Sequence, residues 1–132
     1  MFYIPVDIEE GLINVSRQIV VQKGLTNNFP EIVFELHKHC GEYIDLGDSC
    51  ELWASVTNTD QESVVFTGEL LVMNPHRGQI LCRLVEKDFT MTGINTLTVF
   101  CKTDNFSVSF QTTIFIQSIL KGIQDILKQG DV

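Results

Sequence analysis

Apolar and polar residues alternate along much of this chain. In segment 31–39, Ile32, Phe34 and Leu36 fall on one side and Glu35 and His37 on the other. A period of two sends successive side chains to opposite faces of a strand, so the segment predicts a strand with one face buried. Segment 50–56 repeats the rhythm, with Cys50, Leu52, Ala54 and Val56 opposite Glu51, Trp53 and Ser55. Ile80, Cys82 and Leu84 alternate within 79–85, and Leu97, Val99 and Cys101 within 96–103. Runs 12–22, 63–73 and 106–117 are rich in residues that favour strands. Within 63–73, Gly68 is expected to mark a bulge.

Turn formers separate these runs. Asn27-Asn28-Phe29-Pro30, Asp45-Leu46-Gly47-Asp48, Asn58-Thr59-Asp60 and Asn74-Pro75-His76-Arg77-Gly78 supply the short polar side chains, prolines and glycines that turns need. Asp104-Asn105 is short enough to make its flanks a hairpin. Some seven to eight strands at this spacing predict an all-β sandwich or barrel.

Beyond residue 117 the period changes. Ile116, Leu120, Ile123 and Leu127 recur at steps of three and four, and Ile119 and Ile126 widen the stripe. That spacing predicts a short amphipathic α-helix over 118–132, with Ser118 as its cap and Gly130 at its end. A helix of about three turns is marginal alone in water. Its stripe therefore needs a cover, either the chain's own sandwich or another protein, including a second copy of itself. The expected organisation is a sandwich over 1–117 followed by the helix.

Composition narrows the function. With 132 residues, 44% apolar and 20% charged, the chain is long enough for one domain with its own core. A formal net charge of −8 and the lack of a basic stripe argue against nucleic acid as a partner. No apolar run approaches the roughly 20 residues that cross a bilayer, so no membrane partner is expected. The start, Met1-Phe2-Tyr3-Ile4-Pro5, has no secretory pattern. A cytoplasmic origin follows, with Cys40, Cys50, Cys82 and Cys101 reduced and buried.

Candidate chemistry is sparse. There is no nucleophile elbow, phosphate loop or dinucleotide fingerprint, so the chain reads as non-enzymatic and without a cofactor. His37 and His39 on one strand would point the same way, with Cys40 or Cys50 as a third metal ligand. No CxxC pair accompanies them, and they read as a polar strand edge with no metal. Asn58, Asp60 and Glu62 alternate, with Glu69 at the spacing of a closing calcium ligand. Ser63, however, stands where that loop needs Gly, and the residues read as a solvated turn. Asp45 and Asp48 flank Gly47 as turn formers; a glycosidase pair is the other use of two such acids. Trp53 and Phe100 oppose the apolar sets of their strands. Exposed, they form a protein contact or a sugar platform; covered, for instance by the C-terminal helix, they are core.

Several of these segments resemble, in order, the N-terminal immunoglobulin-like domain of phage baseplate upper proteins, from siphophages of Gram-positive bacteria. The similar elements are Ser16-Arg17-Gln18 within an opening strand, the alternating strand Ile32 to Leu36, and Tyr43-Ile44-Asp45-Leu46 leading into 50–56. Asn74-Pro75-His76-Arg77-Gly78-Gln79-Ile80, Phe89-Thr90-Met91-Thr92-Gly93 and the closing Ile114-Phe115-Ile116 follow. The resemblance implies an immunoglobulin-like antiparallel sandwich that anchors to other baseplate or tail proteins. It also implies a following helix that trimerises, giving a homo-oligomer in the virion tail, assembled in the host cytoplasm. The chain departs from the family by stopping at Val132, without the long distal portion, which puts receptor binding in doubt and leaves docking as the expected role.

Overall fold

The computed structural model describes residues 1–9, 19–23 and 29–118. Among these residues the structure is all-β, with two facing sheets and two short 3-10 turns, Pro75–Arg77 and Glu86–Asp88. The strands in chain order are β1 Phe2–Asp7, β2 Ile19–Lys23, β3 Glu31–His37, β4 Glu51–Thr57 and β5 Ser63–Val65. They continue with β6 Glu69–Asn74, β7 Gln79–Arg83, β8 Gly93–Lys102 and β9 Ser107–Ser118. One sheet runs β1-β3-β7-β6 and the other β2-β9-β8-β4-β5.

The alternation read from sequence decides which side of each strand is buried. In β8, Asn95, Leu97, Val99 and Cys101 point inward, and in β9 Phe110, Thr112, Ile114 and Ile116 do. From the other sheet come Ile4, Val6, Ile32, Phe34, Leu36, Ile80 and Cys82. Phe34 of β3 meets Phe110 of β9 edge to face, ring centres 4.8 Å apart, and ties the sheets together at the middle of the core. Val33 is also fully buried, although it points away from this core. It lies in a second apolar row across the four-stranded sheet, Tyr3–Val33–Leu81–Leu71.

Three expectations need correction. The sheets are mixed rather than antiparallel throughout: β1 runs parallel to β3, and β2 parallel to β9. The run 63–73 is two strands in different sheets, β5 and β6, so Gly68 marks a crossing and not a bulge. A Cβ at Gly68 would collide with the carbonyl oxygen of Arg83, so only glycine lets the chain pass so close. Asp88 anchors the crossing by accepting from the Thr67 amide (2.9 Å) and hydroxyl (2.7 Å). The third correction is Ile116, which is no part of a helical stripe. It sits in β9, buried beside Val21, and β9 continues to Ser118, where a helix cap was expected. The rest of the expected helix, with Ile119, Leu120, Ile123, Ile126 and Leu127, lies outside the described residues, as does 12–18 of the first expected strand.

Phe34→Ala should lower unfolding free energy by about 3–5 kcal/mol, because it removes a buried ring from between two rigid sheets. Urea denaturation followed by circular dichroism measures this; a change below about 1 kcal/mol would show that the two rings do not hold the sheets together.

Candidate functional site

The outward face of the five-stranded sheet is built by the same alternation that builds the core. Register places Trp53 of β4 beside Phe100 of β8 and then Ser109 of β9. The next outward row is Ser55, Thr98 and Gln111, and the one after it Thr57, Thr96 and Thr113. At the far end Ile94, Phe115 and Val20 form a second apolar group on this face, across β8, β9 and β2. About 20 Å of strand separates it from the Trp53 row, at ~3.4 Å per residue.

Trp53 is 48% exposed, far more than an aromatic this size usually is. Its ring lies nearly parallel to that of Phe100, with centres 5.5 Å apart and planes 7° apart. If ring planes touch at about 3.5–4 Å, the rings slide past each other by about 4 Å. This is an offset stack, so one ring covers part of the other's face and the pair forms a ridge. Ile94 and Val20 are exposed by more than half, and Val65 on the short edge strand β5 by 76%. Of the described strand residues on this face, only Glu51 and Lys102 are charged, and they stand opposite each other at one corner. In a chain of net charge −8 this is a nearly neutral surface.

The other sequence candidates fall into structural roles. β3 ends at His37, so His37 and His39 do not share a strand face. The His37 ring bonds the Lys38 carbonyl oxygen, and the His39 ring bonds Asp7 at 2.9 Å. Among the described residues, no three His, Cys, Asp or Glu side chains gather as a metal site. Asn58 Oδ1 accepts from the amides of Asp60 and Glu62, closing the β4–β5 turn. Asp45 caps its own turn by accepting from the Gly47 amide at 2.9 Å and meets His76 at 3.3 Å. The Gly47 amide, then His76, holds the Asp45 carboxyl below the usual carboxylate range. Asp48 lines a depression of about 360 Å³ with Ser49, Cys50, Glu51, Lys102, Thr103 and Asp104, at the end of β4 and β8. Of the four cysteines, Cys82 and Cys101 are buried as expected, whereas Cys50 is half-buried and Cys40 exposed. Burial, and then the nearby Asp88, push the Cys82 thiol up to about 12, so it is inert packing.

Strand alternation identified Trp53 and Phe100, but not the Ile94–Phe115–Val20 group. Its register depends on β2 lying parallel to β9, and no local pattern encodes that pairing. No family model matches the chain, and no curated protein matches it.

Two outcomes follow. Trp53 emission should be that of a water-exposed indole and be quenched readily by acrylamide, and Trp53→Ala should cost no more than about 1.5 kcal/mol of stability. Asp45 should titrate below 3.8 by NMR and move back toward 3.8 in His76→Ala. A carboxyl whose folded pKa is depressed stabilises the fold above its unfolded pKa, and that contribution is lost as pH falls through the folded value.

Proposed function

We propose that this chain is a non-enzymatic docking module that binds other proteins through the outward face of its five-stranded sheet. The observation that carries this is the Trp53–Phe100 ridge, with Trp53 exposed and Phe100 half-buried, on a sheet face almost free of charge. Interface centres are enriched in aromatic residues and depleted of charge, and a few rings supply most of the binding energy. Ser55, Thr98, Ser109 and Gln111 leave the neighbourhood of the two rings uncharged.

The setting implied by the resemblance is a phage tail baseplate, with other baseplate or tail proteins as partners and a trimer as the assembled form. Supporting an immunoglobulin-like ancestry is the strand order. Lettering β1, β3, β7 and β6 as A, B, E and D, and β9, β8 and β4 as G, F and C, reproduces the two sheets of that sandwich. The chain departs from it in the parallel β1–β3 pair and in a strand-C tryptophan that faces outward. The face spans about 20 by 25 Å, roughly 500 Å² of footprint. A stable interface needs about 800 Å² per partner. A trimer presenting three such faces to one hub would make up the shortfall by avidity.

A carbohydrate-binding module is the alternative, since Trp53 is exposed. It ranks second because an offset stack presents a ridge, whereas a sugar ring seeks an open aromatic face.

In sedimentation at micromolar concentration the full chain should self-associate, and removal of 119–132 should return it to a monomer. Where tail proteins are encoded beside it, co-expression with them should give a complex that Trp53→Asp weakens at least about tenfold. A monomer at every concentration discards the trimer. Saturable binding of cell-wall oligosaccharide that is lost in Trp53→Ala transfers the face to sugar.

A further inference from the structure

Cys50 and Cys101 bring their Sγ atoms within 3.3 Å of each other. They are not facing partners in the strand register, because Leu52 pairs with Cys101 and Glu51 with Lys102. Cys50 is the residue just before β4, outside the ladder, so its side chain reaches diagonally back to Cys101. Cys101 is wholly buried on the inner face of β8, whereas Cys50 is half-buried and lines the depression at the end of β4 and β8. One thiol is therefore reachable from solvent and the other stands directly behind it. Forming a bond of about 2.05 Å requires the sulfurs to close by little more than an ångström. A backbone free of ladder bonds at Cys50 makes that movement small.

We propose that Cys50 and Cys101 form a thiol–disulfide exchange site that takes small disulfides, preferring cationic ones, and closes to an intrachain disulfide. The Cys50 thiolate attacks one sulfur of the small disulfide, forming a mixed disulfide and releasing one thiolate, which takes up a proton. Cys101 then loses its proton and attacks the Cys50 sulfur. This forms the Cys50–Cys101 bond and expels the second small thiolate, which is protonated in turn. The protein loses two protons and two electrons, and one small disulfide takes them up to become two thiols.

The roles follow from position. Burial, with the hydrogen bond and charge of Cys50, raises the Cys101 thiol, so Cys101 does not attack first. Capping Cys50 as a mixed disulfide removes its part of that shift, and the contact between the sulfurs favours the second attack over release. The preference for cations comes from the walls, where Asp48, Glu51 and Asp104 outnumber Lys102. The site does not depend on the docking proposal. It lies at the Trp53–Phe100 end of the sheet, since Phe100 directly precedes Cys101.

The test treats the folded, reduced full chain with cystamine, then alkylates remaining thiols and maps the peptides. The expected product is a Cys50–Cys101 linked peptide, reversed by dithiothreitol, with exposed Cys40 carrying only a mixed disulfide. The linked form should melt roughly 10 °C above the reduced form, because the bond closes a long loop. Cys101→Ala should trap the mixed disulfide on Cys50, and Cys50→Ser should abolish the link. Added salt should slow cystamine at Cys50 and speed the dianionic dithiodipropionate. A mixed disulfide that accumulates on Cys50 of the unmutated chain, or a Cys50 that stays unreacted while Cys40 is consumed, overturns the site. The opposite salt response overturns the preference for cations.

Discussion

Two sheets, each apolar on the side that faces the other, cannot exist separately in water. Phe34 and Phe110 meet where those sides come together, and the inward residues of β1, β3 and β7 pack against those of β8 and β9 around them. The strict period of two along β8 and β9 follows from this enclosure. Among the described inward positions of these two strands, the buried polar exceptions are Asn95 and Thr112, and the outward positions are free to take other chemistry. The outward face of the five-stranded sheet is thus the complement of the core, fixed in register by it. Slipping β8 by one residue would bury Phe100 and Thr98 and expose Val99 and Cys101.

What the sequence revealed was mostly local. The burial of Ile32, Phe34 and Leu36, the hairpin around Asp104-Asn105 and the turn at Asn74 to Gly78 could all be read from neighbouring residues. At that turn Gly78 adopts a φ of 61° and its carbonyl oxygen accepts from the Leu36 amide, as an αL cap after a Pro-started turn allows. What stayed hidden depends on distant partners. Phe2, Ile4 and Val6 alternate like any strand, but Pro5 interrupts them. The strand becomes intelligible only as a sheet edge, where a missing amide does no harm. The split of 63–73 was hidden for a similar reason, since crossing between layers is decided by the packing of Gly68 on Arg83 and not by propensity.

Three of the four edge strands are poor sites for adding a strand. β1 carries Pro5, β6 is irregular between Val72 and Asn74, and β5 is only three residues long. Contact through such edges would be short and broken. Faces remain, and the outward face of the five-stranded sheet is where large apolar side chains collect in the open. The same sheet end holds the two thiols, next to the Trp53–Phe100 pair.

The parallel seating of β2 on β9 has a bearing on how the molecule is made. Ile19 lies against Ile114, so the five-stranded sheet cannot gain that border until a segment near the other end of the chain has left the ribosome. Contacts this far apart in sequence slow folding, because a long loop must close before they form. Until then β8 lacks its β9 neighbour and Phe34 its Phe110 partner, a sticky interval that chaperones would have to guard.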